Sequence, residues 1–193
     1  MIPRQIAALA LRGDTIAHGG GASGLDTQTS LYGGVIRYTA EREGEPIPWV
    51  DGLQLVIGNT GIFAATSIVN GRVRQWLREQ PVRMHYFAEI GLLSRQAEAA
   101  LASGDWRLLG QLMNLNQLLL ERIGVSCPEL ELLNEAALGT GALGAKLAGS
   151  GGGIMIALVL PADVEPVAHA IEQAGGTAII VPVGVPGLVV HAL

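Results

Sequence analysis

Cysteine is nearly absent: Cys127 is the one thiol in 193 residues, so no internal disulfide can form. The four histidines are scattered, without the Cys or His spacing that closes a zinc site, and no structural metal is expected. A reducing compartment, the cytoplasm, is the natural setting for such a chain. Basic clusters are also missing. Twelve Lys and Arg are dispersed against seventeen Asp and Glu, for a net charge of −5, which leaves no electrostatic footprint for nucleic acid. The N-terminus has no basic start followed by an apolar block and a small-residue cleavage site, so no export signal is expected. One long uncharged run exists, Leu53 to Gly71, and the mean hydropathy is +0.39. That run holds Gln54, Asn59, Thr60, Thr66 and Asn70, so it reads as a buried strand and the start of a helix, and no membrane partner is expected.

Glycine is the residue in excess, 27 of 193, roughly twice average usage. It concentrates in two loops, His18-Gly-Gly-Gly-Ala-Ser-Gly-Leu-Asp26 and Gly149-Ser-Gly-Gly-Gly153. Around them the periodicity predicts a helix over Pro3 to Ala17, with Ile6, Leu9 and Ile16 on its apolar face. A strand is expected over Val35 to Ala40, then a charged, proline-punctuated connection from Glu41 to Trp49. That connection places a domain boundary near Gly44 to Gly52. Beyond it come a strand at Leu53 to Ile57, a helix carrying Arg72, Arg74 and Arg78, and two longer helices, Met84 to Ala102 and Trp106 to Ile123. The last of these puts Leu108, Leu112, Leu115 and Leu119 on one stripe. Pro128 opens a helix to about Leu138, and strands at Ala145 to Ala148 and Ile154 to Leu160 flank the second glycine loop. Asp163 is a candidate N-cap for a helix facing Val164, Val167, Ala168 and Ile171 inward, ended by Gly175-Gly176. Strands at Thr177 to Val183 and Leu188 to Leu193 complete an α+β layer in which helices and strands do not alternate strictly.

Two letter matches lack the context that would give them chemistry. Gly139-Thr-Gly141-Ala-Leu-Gly144 satisfies the dinucleotide pattern, but that pattern needs a strand before it and a helix after it, and the order here is reversed. His18-Gly-Gly-Gly21 with Ala148-Gly-Ser150-Gly-Gly152 imitates a hydrolase oxyanion loop and nucleophile elbow. An elbow serine needs a following helix, and a strand is expected there.

Three segments taken together carry a resemblance. His18-Gly-Gly-Gly-Ala-Ser23-Gly24-Leu-Asp26, running on to Ser30-Leu-Tyr-Gly33-Gly34, resembles the His-Gly-x-Pro-Ser-Gly-x-Asp loop of mevalonate kinases. Leu55-Val-Ile-Gly-Asn59-Thr60-Gly to Thr66, then Arg72-Val-Arg74, resembles the segment that follows in that family. Asn116 to Leu130, followed by Gly144-Ala-Lys146-Leu-Ala-Gly149-Ser-Gly151-Gly-Gly153, resembles its last shared block. The resemblance implies a GHMP-kinase-like C-terminal domain of α+β class, an antiparallel sheet packed with helices, over residues 51–193. Residues 1–50 would be the tail end of the N-terminal kinase domain. It further implies an ATP- and Mg2+-dependent transferase acting on mevalonate in isoprenoid precursor synthesis. The lysine and Gly-Leu-Gly-Ser-Ser phosphate loop that the family carries upstream have no counterpart here, so activity is expected to need an N-terminal ATP-binding half. The expected partners are therefore that separate half, or a second copy of the chain.

In that resemblance Asp26 is the catalytic base, which accepts the hydroxyl proton as the γ-phosphate arrives. The same Ser23-Gly-Leu-Asp26 spacing is also that of a capping box. Asp14 stands where the family has a magnesium-ligating glutamate, and alternatively it is a solvated carboxylate one turn from His18. His18, Ser23 and Thr66 match substrate-bordering positions. Otherwise His18 sits at a helix C-terminus that favours a cation, and Thr66 is a helix-start hydroxyl. Gly149, Ser150 and Gly151 match the loop that lets backbone approach the nucleotide, with a tight turn between strands as the plainer reading. Departures from the family pattern are an extra glycine in the first loop, Ala22 in place of proline, and Ala148 and Ser150 in place of threonine and alanine. A different class of function, a non-catalytic small-molecule-binding or docking module, fits the same segments.

Overall fold

The computed structural model describes residues 3–17, 22–39, 42–63, 66–149 and 151–190, without the side chains of Pro3, Arg4, Ala17 and Thr66. It divides into two compact units, Met1–Pro48 with Val183–Leu193, and Trp49–Pro182.

The first unit contains α1 (Pro3–Ala17), α2 (Leu25–Tyr32) and a hairpin of β1 (Ile36–Thr39) and β2 (Arg42–Pro46). Pro3 suits the first helical turn, where an N–H would have no partner. Ala7 is the buried position of α1, with Ile6 half-buried. Leu9 and Ile16, expected on the apolar face, are 54% and 81% exposed. At about 100° per residue both lie nearly opposite Ala7, so the buried face of α1 is that of Ala7 with half-buried Ile6 and Leu11. Gly24 caps α2 at φ +82°, a left-handed conformation that glycine adopts without steric cost.

The charged stretch expected as a connection is instead the strand β2. It pairs antiparallel with β1, Ile36 opposite Pro46 and Arg37 opposite Glu45. The Arg37 guanidinium lies 2.6 Å from the Glu45 carboxylate. Arg42, Glu43 and Glu45 are all exposed, which a two-stranded ribbon tolerates, and Gly44 is buried, its N–H donating to Gln28 Oε1 at 2.9 Å. The strand expected at Leu188 to Leu193 does not form over its described part, 188–190. Pro186 bridges Gly33, and the Leu188 N–H donates to the Leu31 carbonyl at 3.2 Å.

The second unit holds β3 (Gln54–Asn59), α3 (Thr66–Glu79), α4 (His85–Ser103), α5 (Trp106–Ile123), α6 (Pro128–Gly139), β4 (Gly144–Ala148), β5 (Ile154–Val159), α7 (Val164–Gln173) and β6 (Thr177–Val181). The strands form one antiparallel sheet in the order β4-β5-β3-β6. Val56, Leu147, Met155 and Val159 from the sheet pack with Leu130 and Leu133 of α6 and Val167 and Ile171 of α7. Burying each such side chain contributes about 1.5–3 kcal/mol. Asp163 precedes α7 as expected, but its side chain makes no capping bond, and a short 3-10 turn over Pro161–Asp163 leads into the helix.

Strand β4 is an edge, and α5 closes it. The Ala145 N–H donates to Asn114 Oδ1 at 2.9 Å and the Leu147 N–H to Gln117 Oε1 at 2.8 Å, while Asn114 Nδ2 donates to the Leu143 carbonyl at 3.3 Å. Two side chains three residues apart on a helix thus occupy the ladder positions that an adjacent strand would fill. Such proximity requires glycine on both sides: a Cβ at Gly144 would stand 2.5 Å from the Gly110 carbonyl oxygen, and one at Gly110 would overlap the Leu143 carbonyl. This docking also corrects the expected leucine stripe. Leu109, Gly110, Leu112, Gln117 and Ile123 are the buried positions of α5, whereas Leu108 and Leu115 are 38% and 50% exposed, because polar Asn114 and Gln117 must face the strand.

Gly110→Ala should lower stability by about 1–3 kcal/mol through overpacking, despite the gain in helix propensity, and chemical denaturation would show it. A second prediction concerns Lys146, half-buried on β4, whose ammonium donates to the Leu147 carbonyl at 2.6 Å. Burial lowers its pKa below the ordinary 10.5. Between the lowered value and 10.5 the unfolded chain holds a proton that the folded chain has released, so stability rises with pH across that window. Lys146→Met should flatten the rise and stabilise the fold at neutral pH, as read from denaturation midpoints along a pH series.

Candidate functional site

In the first unit, α1 and α2 enclose a concavity of about 340 Å³ lined by Asp14, Asp26, Thr27 and Ser30, with Ile6, Ala7, Ala10, Leu31 and Leu188 as its apolar part. Asp14 and Ala10 are one turn apart on α1, which carries the half-buried Asp14 along the same face as Ala7. Asp26 is exposed in the first turn of α2, where the helix dipole favours a carboxylate. The structure therefore brings two of the expected site residues, Asp14 and Asp26, to one cavity.

The capping-box alternative for Asp26 takes a different form. The helix cap is Gly24, which makes no side-chain cap bond, and the Ser23 hydroxyl accepts from the Leu25 N–H at 3.3 Å. Asp26 is thus free of the N3 position that a capping box requires. The Ser23 carbonyl accepts from the Tyr38 hydroxyl, fixing the turn that presents Asp26, and Ser23 itself is outside the cavity lining. Thr27 and Ser30 were not singled out from the sequence. Ser30 lies four residues after Asp26, a helical spacing visible in the letters once α2 is recognised. His18 lies outside the described residues, as does the side chain of Thr66, whose backbone opens α3.

The second glycine loop joins β4 to β5 in the second unit, a hairpin connection between antiparallel neighbours. Gly149 and Gly151 have φ of +78° and +87°, and Ser150 lies outside the described residues. The loop is anchored from two sides. The Thr60 N–H and hydroxyl donate to the Gly153 carbonyl at 2.9 and 3.1 Å, and the hydroxyl also reaches the Gly152 carbonyl at 3.0 Å. Cys127, at the start of α6, lies against Gly152 with its sulfur 3.5 Å from the Gly152 carbonyl. Burial first, and a Glu129 hydrogen bond after it, raise the Cys127 pKa, so the group stays a neutral thiol that serves as packing. The same flanking elements dispose of both letter matches: α6 precedes Gly139 to Gly144 and a strand follows it, and β5 follows the Ser150 loop.

Gly152 has φ +76°, and a Cβ there would overlap the Cys127 sulfur and stand 3.0 Å from its Cβ. Gly152→Ala should therefore destabilise the second unit by about 1–3 kcal/mol. Combining it with Cys127→Gly should recover the steric part and leave the cost of the left-handed conformation, which a double-mutant cycle on denaturation free energies would separate.

Comparison with known proteins adds the lineage. The GHMP kinases C terminal family matches residues 97–177. The chain is 37% identical over 175 residues to the mevalonate kinase of Pyrococcus abyssi, covering 88% of this chain and 52% of that protein. It is 34% identical over 194 residues to that of Thermococcus sibiricus, covering 97% and 57%. Among solved structures, that of L. major mevalonate kinase in complex with R-mevalonate superposes with a TM-score of 0.78 at 35% identity, covering 90% of this chain and 54% of that one. The chain thus spans about half the length of the curated relatives it matches. It carries a GHMP kinase C-terminal domain, with an α+β fold and sequence similar to the C-terminal half of mevalonate kinases.

Proposed function

We propose that this chain is the C-terminal part of an ATP-dependent mevalonate kinase that phosphorylates the primary hydroxyl of mevalonate. The observation that carries the reading is the shared cavity of Asp14 and Asp26, the two residues to which the family resemblance gives the parts of metal ligand and base. In the same proposal residues 1–50 are the end of the N-terminal kinase domain and residues 51–193 are the C-terminal domain.

Asp26 takes the proton of the attacking hydroxyl. Its place in the first turn of α2 sets the carboxylate in the lining of the cavity, so it meets the geometric demand on a general base. Thr27 and Ser30 supply hydroxyls that orient a polar substrate, and Ile6, Ala10 and Leu31 exclude water from its aliphatic part. Asp14 suits magnesium, a hard cation that is commonly held by one or two carboxylates with water in the remaining positions. When bound, magnesium screens the charge of the phosphates. The left-handed Gly149 and Gly151 leave backbone N–H groups unobstructed by side chains, the arrangement that nucleotide phosphates require. His18, Ser23, Thr66 and Ser150 belong to the same proposal as residues that border substrate or nucleotide, Ser23 acting through the turn it holds.

The test is phosphotransfer with ATP, magnesium and mevalonate, by the chain alone and mixed with the separately made N-terminal part of an archaeal relative. Background activity alone and a gain on mixing are expected, with Asp26→Asn losing about 10²–10⁴-fold of that gain and Asp14→Asn raising the magnesium requirement. Equal activity of Asp26→Asn and wild type would remove Asp26 from the mechanism. Mevalonate binding without any gain on mixing would favour the non-catalytic module.

A further inference from the structure

A second cavity lies within the second unit, where α4 and α5 meet the edge strand β4. Its volume is about 190 Å³. Leu93 and Ala97 of α4 and Leu109, Leu112 and Met113 of α5 form its apolar walls, and its polar groups are Ser94, Asn116 and Lys146. Leu109 and Leu112 are buried at its inner side, and exposed Ser94 marks its mouth.

Lys146 is the one lysine among the twelve Lys and Arg of the chain, and it is half-buried. Its ammonium carries three donors, of which one is used by the Leu147 carbonyl at 2.6 Å. Among the described residues no carboxylate pairs with it. No neighbouring charge acts on it either, burial alone lowering its pKa. The strand sets the side on which the ammonium lies. In an antiparallel strand the N–H and carbonyl of one residue point the same way, and the Leu147 N–H points at Gln117 of α5. The ammonium bound to the Leu147 carbonyl therefore stands toward α5, where Asn116 adjoins Gln117.

Asn116 is half-buried, and its side-chain amide has no hydrogen-bond partner among the described residues. Its oxygen and nitrogen remain open to solvent, since the one sealed and unpartnered side-chain atom of the described residues is Asn134 Oδ1. Leu109, Leu112, Met113 and Asn116 follow the i, i+3, i+4, i+7 spacing of one helix face, which carries the amide along the cavity wall. Donors of Lys146 and Asn116 thus lack acceptors beside an apolar hollow. A partly buried ammonium without a counter-charge is costly, and one positive charge is matched by a monoanion, whereas a dianion such as phosphate would bring uncompensated charge against the leucines. The cavity is about six times the roughly 30 Å³ share of one water and below the roughly 300 Å³ at which pockets for drug-sized ligands begin, so its occupant is small.

We propose that this cavity binds a short-chain aliphatic monocarboxylate, its carboxylate accepting from the Lys146 ammonium and the Asn116 amide and its alkyl chain lying against Leu93, Leu109 and Leu112. The site makes no use of Asp14 or Asp26, so it stands or falls separately from the kinase reading.

Because the chain has one lysine, protein carrying 13C-labelled lysine gives a single Cε signal, and titration of the full chain with pentanoate reads the site directly by NMR. A saturable shift with pentanoate is expected, with none from 1-pentanol, which lacks the charge, and none that saturates over the same range from acetate, which lacks the chain, or from inorganic phosphate. By calorimetry Lys146→Met, which is expected to fold stably, and Asn116→Leu should each weaken pentanoate binding about tenfold or more, the worth of a hydrogen bond to a charged group. Should Asn116→Leu fail to fold by circular dichroism, the wild-type Asn116 side-chain amide resonances answer in its place by moving with pentanoate. No saturable lysine shift, an equal response to acetate or phosphate, unchanged affinity in Lys146→Met or in a folded Asn116→Leu, or an unmoved Asn116 amide would each overturn the proposal.

Discussion

The contact between α5 and the edge strand β4 is the constraint on which the second unit depends. A sheet edge carries a row of unpaired backbone groups, and burying such a row without partners is costly. Here the row is satisfied by side chains of a helix. Asn114 and Gln117 serve the Ala145 and Leu147 N–H groups, and Gly110 and Gly144 give the helix backbone room to come that close. Once this docking is fixed, the rotation of α5 about its axis is fixed too. Leu109 and Leu112 then turn inward, and Leu115 and Leu118 turn outward.

The same helix passes the constraint on. Gln117 is bonded on both ends, its oxygen to β4 and its nitrogen to Glu131 of α6. Its near-complete burial is therefore tolerated, since each polar atom has a partner. Glu131 and Ser126 at the start of α6 are held by this network, and Cys127 between them is brought against Gly152. A chain of short polar bonds thus runs from the strand edge through α5 to the residue that packs under the glycine loop. Thr60, at the end of β3, grips the same loop from the other side. The loop's shape is set by its anchors as much as by its own glycines.

Long periodic segments were the most legible part of the sequence. α1, α4, α5, α6 and α7, and the strands on either side of the second glycine loop, fall within a residue or two of the positions read from apolar spacing, proline starts and glycine ends. The errors share a cause. Size and apolarity put Leu9 and Ile16 of α1 and Leu108 and Leu115 of α5 on an apolar stripe, yet docking turns inward the faces of Ala7 and of Leu109, Leu112 and Gln117 instead. β2 was missed because its charges read as a connection, whereas a two-stranded ribbon can leave most of its residues in solvent. At the first site, Asp14 and Asp26 were found through motif resemblance, and Thr27 and Ser30 were passed over because a hydroxyl on a short helix carries no signal until the cavity beside it is known.

By itself, the sequence determined the long helices, the strands flanking the second glycine loop, the glycine turns between elements, and the resemblance carried jointly by three segments. These are local properties, decided by side-chain periodicity and by conformations that glycine alone adopts freely. Tertiary structure alone decided which face of α5 is buried, that Asp14 and Asp26 share one cavity, and that Asn114 and Gln117 cap the edge of β4. Each of these depends on groups far apart in the chain meeting at close range, and no spacing rule along a single element specifies which partner it will meet.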